Sequence, residues 1–181
     1  PGGGRAYVFD LATDALLHPP LLPDPSAGAF GQFFVADVGR VDGDSVPDLY
    51  VGDFADGGTA RGKAYVFSGA TGGRILTLTG ASGDGFGIGR GLGDVNGDGR
   101  ADLVLGSWTS GAGATRAGKL EVFSGADGAL LRQVFASCSD VGSMRCMRSS
   151  PSSARTSLIS RSRSPAFDSS LGSAAIAFSG S

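Results

Sequence analysis

Two cysteines, one histidine and no apolar run of membrane length are what this 181-residue chain offers to three common chemistries. Cys138 and Cys146 are too few for a disulfide framework. A lone histidine, His18, sits before Pro19-Pro20 in what reads as a solvated loop and cannot anchor a Ser–His–Asp arrangement. Without about 18 consecutive apolar residues there is no membrane span. Charge is sparse at 18%, and the net of −2 leaves no basic face for nucleic acid. The charge is also uneven, net −5 over residues 1–137 and +3 over 138–181. The chain opens Pro1-Gly-Gly-Gly without Met or a signal-type apolar region, which reads as an internal start that leaves room for a signal peptide ahead of it.

What is plentiful is glycine, 32 residues, alongside 41% hydrophobic residues. Such a chain can bury a core, but one rich in turns and poor in long helices. It also repeats. Gly4-Arg-Ala-Tyr-Val-Phe9, Gly62-Lys-Ala-Tyr-Val-Phe67-Ser-Gly-Ala and Gly118-Lys-Leu-Glu-Val-Phe123-Ser-Gly-Ala align, with a weaker copy at Ser173-Ala-Ala-Ile-Ala-Phe178-Ser-Gly-Ser. Phe30-Gly31 returns as Phe86-Gly87. Asp42-Gly-Asp44-Ser-Val-Pro-Asp48-Leu-Tyr-Val-Gly returns 54 residues later as Asn96-Gly-Asp98-Gly-Arg-Ala-Asp102-Leu-Val-Leu-Gly.

Ala64–Phe67 and Lys119–Phe123 read as strands ending in Ser-Gly-Ala turns, and Arg74–Thr79 alternates as a half-buried strand does. Leu49–Val51 and Leu103–Leu105, apolar runs between Asp and Gly, read as buried inner strands. About four strands per unit predicts an all-β chain of propeller-type units, with a β-sandwich as the plainer alternative.

The segment Asp94-Val-Asn96-Gly-Asp98-Gly-Arg100-Ala-Asp102 places oxygen side chains at positions 1, 3, 5 and 9. The Arg100 carbonyl would supply position 7, and Gly97 and Gly99 give the backbone freedom for the turn. An oxygen-only set of three carboxylates and one carboxamide suits Ca2+ rather than zinc. EF-hand-type loops need an acid at position 12 and a following helix, whereas here position 12 is Leu105 and the continuation reads as a strand. The alternative is an Asx-rich turn without metal. In the first copy Asp42, Asp44 and Asp48 match directly, with Val46 at the carbonyl position. Asp37 stands for Asp94 if Gly39-Arg40-Val41 is an insertion, and Ser45 replaces Gly99.

These features resemble the FG-GAP repeat family, the blades of the integrin α-chain propeller and its bacterial relatives. Phe30-Gly31 and Phe86-Gly87 match the FG element, while Gly52-Asp-Phe54 and Gly106-Ser-Trp108 stand degenerately for the second. The resemblance covers residues 4–137 and returns weakly at 173–181. It implies a seven-bladed β-propeller with Ca2+ in loops on one face, of which this chain holds about three four-stranded blades, an incomplete ring. It also implies a secreted or cell-surface protein that binds protein or carbohydrate ligands in adhesion. Two rivals are a propeller-based hydrolase or lyase accessory domain and a purely structural repeat spacer. A pair of carboxylates or a His constellation on one face would mark the enzyme, and neither is legible.

Residues 138–171 break the pattern, with twelve Ser and five Arg among 34 residues. They read either as a disordered linker or, because the motif resumes at Phe178 near its expected register, as an out-of-frame translation. The further strand begins in 172–181. Gly85-Phe-Gly-Ile-Gly89 lacks the spacing of a nucleotide loop and reads as a turn. Trp108 reads as a packing residue between repeats rather than a binding aromatic. Asp53, Asp56 and Asp84 read as turn residues, with a place in a neighbouring site as the alternative.

Overall fold

A computed structural model describes residues 3–112, 117–135 and the strand at 174–179. The atypical stretch 138–171 lies outside these residues. Among the described residues ten strands run in the order β1 (Arg5–Asp10), β2 (Val35–Gly39), β3 (Asp48–Asp53), β4 (Lys63–Phe67), β5 (Arg74–Thr79), β6 (Phe86–Gly93), β7 (Asp102–Ser107), β8 (Lys119–Phe123), β9 (Leu130–Phe135) and β10 (Ala174–Ser179). A 3-10 turn at Asp56–Gly58 is the sole helical element among the described residues. No helix there is long and apolar enough to cross a membrane.

The chain is all-β. It forms two four-stranded antiparallel sheets, β2-β3-β4-β5 and β6-β7-β8-β9, and a two-stranded pair, β1-β10. The expected inner strands, β3 and β7, do lie between two neighbours. Both sheets carry bulges at equivalent places, between Asp37 and Gly39 and between Gly91 and Gly93 at the end of the first strand, and at Ile75 and Leu131 of the fourth strand, opposite Val66/Phe67 and Val122/Phe123. A bulge inserts a residue and re-aims its neighbour, and in β2 it sends Val38 into the core.

The first sheet is buried on both faces, which explains the unbroken apolar runs of β3 and β4. Toward the second sheet, Val38, Tyr50, Ala64 and Val66 pack with Phe86, Leu103 and Leu105. Toward β1, Val51, Tyr65 and Phe67 pack with Ala6, Val8, Leu21 and Phe30. The buried Tyr50 hydroxyl needs a partner in this setting and donates to the Gly87 carbonyl of β6 at 2.7 Å. Burial pushes its ionisation above the usual tyrosine range.

The 24–26 segment is tied to the first sheet by charge. Lys63 Nζ meets Asp24 at 2.9 Å and Asp56 at 3.3 Å, and Arg74 Nη1 meets Asp24 at 2.6 Å while its guanidinium lies 4.9 Å from the Tyr65 ring centre. The Lys63 and Arg74 hydrogen bonds hold the Asp24 carboxyl below its usual range. A folded value below the unfolded one adds stability above the ordinary carboxylate range and loses it as pH falls through the folded value. Since Asp24 is about a third exposed, we expect Asp24→Asn to cost about 1 kcal/mol at pH 7. Melting curves of the two proteins should converge in acid; a gap that persists unchanged below the folded value would contradict this.

Candidate metal centre

Each candidate loop joins the first strand of a sheet to the second. The ladders set their equivalence: Gly39 pairs with Asp48, and Gly93 pairs with Asp102. Gly39 therefore corresponds to Gly93, and the next residues, Arg40 and Asp94, correspond as well. The expected insertion at Gly39-Arg40-Val41 is absent. Asp37 lies back on β2 opposite Leu49, with its carboxylate accepting the Gly39 N–H at 2.7 Å. The structure does not bring it to the loop. The first loop thus carries a cationic residue where the second has its first ligand.

Among the described residues, Asp42, Asp44 and Asp48 are the acids that converge, each offering an oxygen within 4.8 Å of the others. Asp42 Oδ1 accepts the Asp44 N–H, and Asp44 Oδ1 accepts the Val46 N–H, so each acid also shapes the turn beneath it. The second loop repeats this bracing, with Asn96 Oδ1 accepting the Asp98 N–H at 2.9 Å, and adds a first acid that the first loop lacks. Asp94 is turned onto three backbone donors, the N–H groups of Gly97 (2.6 Å), Asp98 (3.2 Å) and Gly99 (2.9 Å). These bonds, that of Gly99 foremost, hold its carboxyl below the usual range. Gly97 and Gly99 take φ of +83° and +84°, as the turn was expected to require. Asn96 Nδ2 donates to Asp98 Oδ2 at 2.9 Å, and Asp98 Oδ1 accepts the Arg100 N–H at 2.8 Å.

Position nine has a role that spacing alone did not reveal. Asp48 is fully buried, with Oδ2 accepting from Val41 (2.7 Å) and Asp42 (3.0 Å) and Oδ1 from Gly69 (3.0 Å). Asp102 repeats this: Oδ2 accepts from Val95 (2.8 Å) and Asn96 (3.2 Å), and Oδ1 from Gly125 (3.1 Å). Each aspartate therefore latches its loop to the Ser-Gly-Ala turn after the third strand. The glycine is needed there because a Cβ on Gly69 would overlap the Pro47 carbonyl, and one on Gly125 the Ala101 carbonyl. Burial pushes the Asp48 carboxyl up, against the pull of its three N–H bonds.

A carboxylate has about four lone-pair sites, so three backbone donors leave one for a cation. The donor set is all oxygen, clustered and anionic, and fits a hard divalent ion such as Ca2+. Asp42, Asp44 and Asp48, with the Val46 carbonyl, would hold it in the first loop. Asp94, Asn96, Asp98 and Asp102, with the Arg100 carbonyl, would do so in the second.

The other acids are satisfied elsewhere. Buried Asp53 accepts the N–H groups of Gly28, Ala29 and Ala55. Asp56 accepts from Ser26 at 2.6 Å beside Lys63. Asp84 forms an ion pair with Lys119 at 2.9 Å, and Lys119 also meets Glu121 at 3.1 Å. His18 is not a free loop residue: its Nε2 lies 2.7 Å from the Gly69 carbonyl. Trp108 is 56% exposed, against the expectation of a packing role. Gly85–Gly89 enters strand β6, not a helix. No family model matches the chain, and no curated protein is significantly similar to it.

Proposed function

We propose that this chain is a calcium-binding segment of a β-propeller of FG-GAP type, belonging to a secreted or cell-surface protein that binds protein or carbohydrate ligands. The observation that carries the metal is the convergence of Asp42, Asp44 and Asp48 within 4.8 Å. Three such groups repel one another unless a cation lies between them. The recurrence of the same loop 54 residues on, between the same two strands of the next sheet, supports a serial site set by the repeat.

The propeller reading is supported by what the second sheet leaves uncovered. Leu92, Leu120 and Leu131 are exposed. By ladder equivalence they stand where Val38, Ala64 and Ile75 of the first sheet join the core that it shares with the second. A further unit of the same kind would cover them in the same way. Calcium would then add folding free energy by binding the folded loops and not the unfolded chain.

Thermal melting tests the metal. With about 10 mM calcium, about 10–100 times the Kd of a weak modular site, the melting point should rise by an amount worth about 1–3 kcal/mol. Magnesium should do less, and Asp98→Ala should remove part of the gain. Equal melting in calcium and chelator contradicts the proposal.

A further inference from the structure

The two loops touch, and one residue belongs to both. Ala101 N–H donates to the Arg40 carbonyl at 3.0 Å, and Arg100 Nη1 donates to the Val41 carbonyl at 3.0 Å. Two consecutive carbonyls of the first loop are thus held by two consecutive residues of the second. The guanidinium also lies over the tip of the first loop, where a Cβ on Gly43 would be 3.5 Å from Arg100 Cζ. No ion pair within 4.0 Å joins Arg100 to Asp42 or Asp44, so the side chain holds the backbone of the loop and not its acids directly. The residue equivalent to Arg100 in the first loop is Val46, which lacks such reach.

We propose that Arg100 is a positioning residue that couples the two calcium loops, so that filling the second raises the affinity of the first. The inference rests on the calcium reading above. The Arg100 carbonyl is the position-seven donor of the second loop, so an ion there holds the backbone at residues 98–101. That places the Arg100 fork and the Ala101 N–H where the Arg40 and Val41 carbonyls need them. The turn that carries Asp42 and Asp44 is then partly ordered before its own ion arrives. An arginine side chain gives up rotamer freedom when pinned, and ordering it once serves both loops. This is cooperativity through prior ordering, with the sites reciprocal in effect.

The test is calorimetric titration of the full chain with calcium, the two sites being assigned by Asp44→Ala and Asp98→Ala. We expect Arg100→Ala to weaken the first site about fivefold or more. Arg100→Lys, which keeps a donor but loses the planar fork, should fall between it and the parent. Asp98→Ala should weaken the first site in the parent and add nothing further in the Arg100→Ala background. An unchanged or tightened first site in Arg100→Ala overturns the coupling, as do losses that multiply in the double variant. Absence of saturable uptake by the parent would instead overturn the calcium reading. A readout free of calcium separates the two: in chelator, amide exchange at Asp44 and Val46 should be faster in Arg100→Ala than in the parent. Equal rates there contradict the clamp itself.

Discussion

Asp48→Ala should lower the stability of the chain by about 3–5 kcal/mol, measured by urea unfolding in chelator so that lost metal binding plays no part. The carboxylate is fully buried and accepts three backbone N–H groups. Removing it orphans all three, at about 1–3 kcal/mol for each donor that water cannot reach, and Val41 is wholly buried. Asp48→Asn keeps one acceptor oxygen and should lose about half as much. If Asp48→Ala costs under about 1 kcal/mol, the latch between loop and turn is not structural, and the aspartate would serve only a ligand.

Gly62→Ala should cost about 2–5 kcal/mol, since two penalties add. Gly62 has φ +80°, which an L side chain adopts at a cost of about 1–2 kcal/mol. Its Cβ would also overlap the Phe86 backbone at the start of the second sheet, and overpacking of this kind costs about 1–3 kcal/mol. Gly57 provides the control: φ is +74°, with open space around its Cβ, so Gly57→Ala should cost only about 1 kcal/mol. At about 2–4 °C per kcal/mol for a chain of this size, the melting points of the two variants should differ by several degrees. Equal losses would mean that the first sheet does not rest on the second in this way.

The strands were legible because their signals are local. Ala64–Phe67, Arg74–Thr79 and Lys119–Phe123 alternate or cluster apolar residues between Gly-rich turns, and each is a strand within a residue of its expected bounds. The matched offsets of the repeat likewise translate into two sheets of the same strand order. The errors lie where long-range contact decides. Spacing made Asp37 a partner of Asp94, but the bulge at Asp37/Gly39 recurs at Gly91/Gly93 and fixes Arg40 in that place instead. A bulge shifts register by one residue and leaves little trace in composition.

His18 looked solvated because its neighbours are prolines, yet its partner Gly69 is 51 residues away. Asp48 and Asp102 looked like ligands only, and their backbone bonds were hidden for the same reason. One signal was available: the glycine of each Ser-Gly-Ala turn recurs with the repeat, and it is the residue whose N–H reaches the aspartate. The second loop looked the better site by its glycines and regular spacing. The first loop is the one in which three acids converge, because Asp42 stands where the second loop has the carboxamide of Asn96, while Asp94 of the second loop lies on the Gly97, Asp98 and Gly99 amides.

The central claim is that the loops opening β3 and β7 hold calcium, and isothermal titration of the full chain addresses it most directly. The account predicts saturable uptake at two unequal sites, with Asp44→Ala and Asp98→Ala each removing one while the sheets stay folded. Flat titrations of a folded chain would contradict it and leave the loops as turns braced by their own aspartates.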